Sequence, residues 1–335
     1  MGEMVSTRPR LLVALRGRDL VPGRIAARLP ELSWGYLSAT PPEEQAEAEA
    51  MLIGSLSREF GQFDATNVPK LAFIQSIYTG VDWMPFDLFP PTVRIAGNVG
   101  GYAPFVSEHA VTLALAASRD LRGAMRMVEE GRLRPPPEHR MLHGRTAVIL
   151  GYGEIGRAIS TRLQAFGMRV IGLNRTGRMA PGCDAMYEAE RLKEALSVGD
   201  FVFEARPLTT RTVRSIGATE LEAMPENAVF VNVGRAGTVD EEALFRHLQS
   251  HPRFRAAIDV WWEEGFAEGR LTSRFPFASL PNFVGTPHSA ASGPGVEAYA
   301  LDRALTNLAR FFRGEPPLYV VDRVECDLRG RSRAP

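Results

Sequence analysis

The feature that most restricts the fold is an apolar run, Thr146-Ala147-Val148-Ile149-Leu150. It passes straight into Gly151-Tyr152-Gly153-Glu154-Ile155-Gly156 and then into a segment with apolar residues at Ile155, Ile159 and Leu163. An apolar run followed by i, i+4 spacing reads as strand, turn and amphipathic helix. Glycines are common, and G-x-G-x-x-G alone marks no more than a turn. With a strand before it and a helix after it, the motif is the fingerprint of a dinucleotide-binding βαβ unit. Gly151 permits the tight turn, Gly153 lets a pyrophosphate approach the backbone, and Gly156 lets helix and strand pack closely. The phosphates would rest on the positive end of the helix.

Similar alternation runs along most of the 335 residues. Strands are expected at 11–15, 71–77, 146–150, 168–173, 201–205, 228–232 and 256–260, with helical spacing between them, as at Leu301, Leu305, Leu308 and Phe312. Alternation of this kind means βαβ units, and so parallel sheets with helices on both faces. The length suits roughly two domains. The stretch 107–121 is apolar almost all round, as expected of a helix buried between domains. It leads to a rigid loop at Pro135-Pro136-Pro137, and a short basic tail, 329–335, closes the chain.

Charge excludes some functions. With 39 basic and 39 acidic residues the formal net charge is zero, so no global field steers the chain to nucleic acid or to an anionic membrane. Of the basic residues 37 are arginine; the lysines are Lys70 and Lys193. Cys183 and Cys326 fit no zinc-ligand spacing and read as free thiols of a reducing, cytoplasmic compartment. No apolar stretch reaches the length of a membrane span. Met1-Gly2-Glu3-Met4-Val5-Ser6 matches a myristoylation pattern, but two fixed positions in six residues recur by chance.

The strand after the glycine motif ends at Asn174, eighteen residues beyond Gly156, followed by Arg175, Thr176, Gly177 and Arg178. An acidic residue near this point would accept the adenine-ribose hydroxyls of NAD. A neutral Asn174 flanked by Arg175 and Arg178 removes the repulsion of a 2′-phosphate and offers guanidinium groups to pair with one. The alternative is that both arginines are solvated loop residues. The combination favours NADP(H) over NAD(H).

Three later segments each end a strand: Asn232-Val233-Gly234-Arg235, Asp259 with Glu264 after it, and Thr286-Pro287-His288. Strand carboxyl ends form the ligand crevice of a doubly wound sheet, so these side chains can converge there. Through these segments and several earlier ones, the chain resembles the D-isomer-specific 2-hydroxyacid dehydrogenase family over nearly its full length. Ser76 to Asp82, Asn98 to Gly101, Val106 to His109, Gly151 to Gly156, Arg206-Pro207-Leu208-Thr209, Asn232 to Arg235, Asp259 and Pro287-His288 carry the resemblance in order.

The resemblance implies a Rossmann cofactor domain at 106–289 inserted into a smaller flavodoxin-like substrate domain, 1–105 with 290–335. It implies hydride transfer between a nicotinamide and a D-2-hydroxy or 2-keto acid such as glyoxylate or hydroxypyruvate, and a homodimer. His288 would be the acid/base, Glu264 would bond its ring and favour the cation, and Arg235 would bind the carboxylate and polarise the carbonyl. Backbone N–H groups at Thr79, Gly80 and Val81 would complete the carboxylate cradle with Arg235 and His288. Cofactor contacts are carried onto Gly151, Gly153, Glu154, Ile155, Gly156, Asn174, Arg175, Thr176, Arg178, Arg206, Pro207, Thr212, Val233, Gly234, Asp259 and Ala290. Asp259 would meet the nicotinamide carboxamide.

Some positions depart from the family pattern. Gly265 stands where Pro is usual, Tyr102 where many relatives have Asn, and Trp261-Trp262 replace smaller residues. Phe266, Phe275 and Phe277 lie in a stretch a few residues longer than usual. These aromatics are either core packing or walls of the substrate pocket. Formate dehydrogenases of this type resemble the pattern but carry Gln at the position of Glu264, which argues against formate. Phosphite oxidation and a nucleotide-sensing corepressor on the same fold are the alternatives that the triad does not exclude.

Overall fold

Strands whose residues are buried on both faces need apolar cover on each side, and the chain supplies this twice. A computed structural model describes residues 8–15, 18–54, 63–133, 139–265 and 269–328. The pattern at 1–6, the proline run at 135–137, Phe266 and the basic tail at 329–335 lie outside the described residues. The chain divides into two units: residues up to Tyr102 together with those from Gly293 on, and Ala103–Ser292.

In the first unit β1 (Leu11–Ala14), β2 (Trp34–Tyr36), β3 (Ala50–Ile53), β4 (Phe73–Ser76) and β5 (Arg94–Ala96) form a parallel sheet in the order β2-β1-β3-β4-β5. This is the flavodoxin-like order of a doubly wound sheet. Side chains alternate between faces. Leu11, Val13, Leu52 and Phe73 meet α1 (Val21–Arg28) and the helix Val296–Phe312 on one face. Leu12, Met51, Ile53 and Ile74 meet Val81, Met84, Phe86 and Phe89 on the other. Short β2 and β5 carried too few apolar residues to be seen as strands beforehand.

The second unit begins with α2 (Ala103–Ser118), four residues earlier than expected, and α3 (Leu121–Glu129). It continues through β6 (Thr146–Leu150), α4 (Glu154–Ala165), β7 (Arg169–Asn174), β8 (Ala185–Glu188), α5 (Leu192–Ser197), β9 (Phe201–Glu204) and α6 (Ala218–Glu222). Then come β10 (Val229–Asn232), α7 (Glu241–Ser250), β11 (Arg255–Ile258), β12 (Glu263–Gly265), β13 (Arg270–Thr272) and β14 (Phe283–Gly285). The parallel sheet runs β14-β11-β10-β9-β6-β7-β8. Read from β8 it is third, second, first and then outward, so the winding reverses between β6 and β9, where a Rossmann sheet opens its crevice. The apolarity of α2 is used inside this unit, against α4, β10, β11 and β14. Among the described residues no helix is long and apolar enough to cross a membrane.

Register levels the ends of the central strands. Leu150 and Asn232 both pair with Glu204, Asn232 with Ile258, and Ile258 with Gly285. The residues that follow, Gly151, Ala205, Val233, Asp259 and Thr286, therefore emerge in one row.

Candidate active site

At the head of that row the glycines do the three things the motif requires. Gly151 has φ +89°, and a Cβ there would lie 2.8 Å from the backbone N of Arg206. A Cβ at Gly156 would lie 2.4 Å from the Gly151 carbonyl oxygen, so α4 sits against the turn because no side chain intervenes. A Cβ at Gly153 would meet no protein atom within 4 Å. That open cradle at the start of a twelve-residue helix, whose N-cap supplies no side-chain acceptor, fits a pyrophosphate. Glu154 is ion-paired with Arg157 beside it, and Ile155 is half-buried.

Asn174 ends β7 and builds the next turn with both ends of its amide. Its Oδ1 accepts from the Thr176 N–H (3.0 Å), and its Nδ2 donates to the Arg178 carbonyl (2.8 Å). A carboxylate could make the first bond but would face the carbonyl at the second. Arg175, Thr176 and Arg178 are exposed around this turn.

Arg206 does not hold out a cation. Its Nε lies 3.1 and 3.0 Å from the two oxygens of Glu204, and its backbone N–H donates to Glu204 Oε1 at 2.7 Å. The Glu204 side chain is fully buried and that of Arg206 is 10% exposed. A buried carboxylate keeps its charge only when paired, so the guanidinium is committed to Glu204. Its backbone stays beside the Gly151 turn, where a Cβ at Gly151 would lie 2.8 Å from the Arg206 N. Thr212 closes the loop by donating to the Pro207 carbonyl (2.6 Å). Gly234 passes close by, since a Cβ on it would lie 2.8 Å from the Arg206 carbonyl oxygen.

The segment after β10 is tied by Asn232. Its Oδ1 accepts from the Gly234 N–H (3.0 Å), and its Nδ2 donates to the Arg235 carbonyl (3.2 Å). Val233 is buried, and Arg235 is half-buried with its guanidinium against the Gly234 carbonyl (2.9 Å). After β11, Asp259 is 1% exposed. Its Oδ1 accepts from Thr286 Oγ1 (2.6 Å) and the Ser289 N–H (2.8 Å), its Oδ2 from the Ala290 N–H (2.9 Å). His109 Nε2 on α2 lies 3.3 Å from Oδ1. Burial pushes the Asp259 pKa up, but the bonds from His109, Thr286, Ala290 and Ser289 outweigh it and hold the group down at about 2.

These bonds fix His288 from both sides. It has φ +53°, a conformation side chains rarely adopt, and its N–H donates to the Asp259 carbonyl (2.8 Å) while Asp259 grips the next two N–H groups. Glu264 arrives on the β12–β13 hairpin. Its Oε1 lies 2.8 Å from His288 Nδ1 and also accepts the Trp261 N–H at 2.7 Å. An Nδ1–H donor to that carboxylate sets the tautomer of the ring.

The aromatics around the hairpin pack inward. The Trp262 ring stacks on Phe277 (centroids 5.3 Å apart) and donates to the Val239 carbonyl, and Phe275 stacks on Phe245. Trp261 is bonded to the Thr286 carbonyl and packs on Phe283. All four touch the main core of this unit, so packing decides their identity.

Thr79, Gly80 and Val81 follow β4 in the other unit. Thr79 Oγ1 donates to the Asn98 carbonyl (3.0 Å), and the Gly80 carbonyl accepts from Trp83 Nε1 (2.9 Å). Val81 is buried in the core of that unit. Tyr102 stacks on Tyr78.

Sequence reading gave no role to His109, Thr286, Asn232 or Glu204. Asn232 carried a signal, an Asn two residues before Gly at a strand end, where its side chain bonds the backbone ahead.

The acid stability of the unit should register Asp259. A folded pKa held below the value of 3.8 stabilises the fold fully above that value, and the gain is lost as pH falls through about 2. In Asp259→Asn the wild-type advantage in denaturant unfolding should narrow by about 1 kcal/mol between about pH 6 and about pH 3. A difference constant with pH would show that the carboxylate is not held down.

Comparison with known proteins agrees with this geometry. Residues 111–290 match the family described as D-isomer specific 2-hydroxyacid dehydrogenase, NAD binding domain. A glyoxylate reductase of Thermococcus gammatolerans is 32% identical over 293 residues, 84% of this chain and 85% of that protein. Among solved structures, an NADPH-dependent glyoxylate/hydroxypyruvate reductase of Sinorhizobium meliloti in complex with NADP and sulfate has a TM-score of 0.78 at 25% identity. The match covers 94% of this chain and 99% of that one. A D-isomer specific 2-hydroxyacid dehydrogenase of Xanthobacter autotrophicus in complex with NADPH and MES has a TM-score of 0.79 at 25% identity, covering 94% and 98%.

Proposed function

The chain belongs to the D-isomer-specific 2-hydroxyacid dehydrogenases and is an NAD(P)-dependent oxidoreductase; from that premise we propose that it reduces a small 2-keto acid, glyoxylate or hydroxypyruvate, to the D-2-hydroxy acid, with NADPH preferred. The observation that carries the reading is the His288–Glu264 pair, 2.8 Å apart, locked by Asp259 on the row of strand ends that begins with the glycine cradle. A bound dihydronicotinamide supplies the hydride, which ends on C2 of the acid.

The chain's own residues supply the rest. His288 gives a proton from Nε2 to the carbonyl oxygen as it becomes a hydroxyl. Glu264 holds Nδ1–H throughout and balances the charge of the imidazolium before transfer. Its own position is set by the Trp261 N–H. Arg235 pairs with the substrate carboxylate and draws electron density toward the carbonyl oxygen, a task for a planar fork of donors. Gly151, Gly153 and Gly156 would receive the pyrophosphate on α4, and Ile155, Pro207, Thr212, Val233 and Ala290 would hold the rest of the nucleotide. The second lone pair of Asp259 Oδ2 is suited to the carboxamide N–H.

The preference for NADPH rests on the turn at Asn174. It needs an amide rather than a carboxylate, and so presents exposed Arg175 and Arg178 with no acid between them. The test is a spectrophotometric panel of glyoxylate, hydroxypyruvate, pyruvate and bulkier 2-keto acids with NADPH and NADH in parallel. NADPH should give at least about tenfold higher kcat/KM, the worth of one charge-assisted hydrogen bond. Arg175→Ala with Arg178→Ala should erase that ratio. A wild-type preference for NADH would overturn the cofactor reading, and no turnover of any 2-keto acid would overturn the reaction.

A further inference from the structure

Helices of a βαβ unit run against their strands, so the carboxyl ends of α6 and α7 lie at the amino ends of β10 and β11. That is the edge of the sheet opposite the row from Gly151 to Thr286. At this far edge three side chains converge with no role in the proposed reaction. Glu222 is the last residue of α6, His247 lies in the last turn of α7, and His251 follows one helical turn later. One ligand atom from each lies within 4.8 Å of the other two. Glu222 Oε1 is 3.2 Å from His247 Nδ1 and 3.6 Å from His251 Nε2. Ligand atoms about 2.0–2.2 Å from one tetrahedral ion stand at such separations.

The rings are held for this use. His251 Nδ1 lies 3.1 Å from the His247 carbonyl oxygen and 3.0 Å from Ser250 Oγ; in the tautomer that donates to the carbonyl, the lone pair is on Nε2, toward Glu222. Backbone carbonyl bonds of this kind orient histidines that bind metals. The His247 and His251 rings stack at 4.1 Å, and His247 is wedged edge-on against Phe254. Asn282 locks the loop beneath by donating to the carbonyls of Leu248, His251 and Phe254. The His247 side chain is 5% exposed, whereas Glu222 at 61% and His251 at 28% leave an approach from solvent.

We propose that Glu222, His247 and His251 form a second site, which binds a zinc-class divalent cation through two imidazole nitrogens and one carboxylate oxygen. Two nitrogens with one oxygen and room for water suit zinc and its neighbours rather than magnesium or calcium, which take oxygen ligands. Bound there, the ion ties the ends of α6 and α7 together and stabilises the unit by mass action without touching the hydride path.

The experiment is calorimetric titration of the metal-free full-length chain with zinc chloride, alongside His251→Ala and Glu222→Gln. Both replaced side chains reach solvent, so both variants should fold, with wild-type far-UV circular dichroism as the check. Wild type should bind zinc with a rise in Tm, and both variants should bind at least about tenfold more weakly. Turnover of the metal-free variants with the best keto acid and NADPH should match wild type. Cobalt(II) should give visible absorption in wild type that is lost in His251→Ala. Absence of zinc binding by wild type, or wild-type affinity in both variants, would overturn the site. Neither result bears on the keto-acid reaction, which the cofactor panel tests separately.

Discussion

His288→Ala should lower kcat about 10²–10⁴-fold while the affinity for NADPH, read by fluorescence titration, stays close to wild type. The proton for the carbonyl oxygen comes from this ring alone in the proposed reaction. The nucleotide is received elsewhere, on the glycine turn and α4. The backbone at His288 is already in the left-handed region, at φ +53°, and an alanine there keeps the bond from its N–H to the Asp259 carbonyl. The variant should therefore lose chemistry rather than structure. Glu264→Gln separates charge from geometry at the same pair. A glutamine oxygen can still accept from Nδ1–H and from the Trp261 N–H, at 2.8 and 2.7 Å in the wild type, but it cannot balance an imidazolium. Its kcat should fall between those of wild type and His288→Ala. Near-normal turnover in His288→Ala, or loss of NADPH binding in place of turnover, would remove His288 from its assigned role.

The second large effect should come from Arg235→Lys, with kcat/KM for the keto acid down about 10²–10³-fold and cofactor affinity unchanged. An ammonium keeps the charge but not the fork, so it can meet the carboxylate or the carbonyl oxygen but not both in one plane. The backbone at 235 is set by others. The Arg235 carbonyl accepts from Asn232 Nδ2 and from Thr238 Oγ1, and neither bond involves the arginine side chain. A structural explanation for a loss is therefore weak, and unchanged melting of the variant would remove it. If the lysine variant kept most of its kcat/KM, the carboxylate would have to be held by other groups.

Much of the candidate site could be read along the chain. Glycines at 151, 153 and 156, an apolar strand before them and an i, i+4 helix after them are local features, and local features survive in one dimension. Arg235, Asp259 and His288 were visible for the same reason, because each directly follows a recognisable apolar strand. Glu264 came from its spacing to Asp259 in a family pattern, and its true carrier, a three-residue strand paired to Arg270–Thr272, has too few residues to announce itself. The short strands β2 and β5 went unread for the same reason: three residues hold too little periodicity.

Sequence alone determined the residue types and their order: a doubly wound unit of the dehydrogenase family, a glycine turn before its first sheet-crossing helix, and a histidine, a glutamate and an arginine near strand ends. Tertiary structure decided how those groups are held. The charge of Arg206 is paired with Glu204, buried two residues away at the end of β9, which no local pattern announces. Asp259 follows a strand in the sequence, and only the fold shows His109, 150 residues earlier, and Thr286, Ser289 and Ala290 closing on it to pin His288. Glu222, His247 and His251 mean nothing as letters until two helices end side by side. The reason is the same in each case: a side chain's charge and freedom depend on burial and on partners distant in the chain, and those are fixed only when the sheet sets its register.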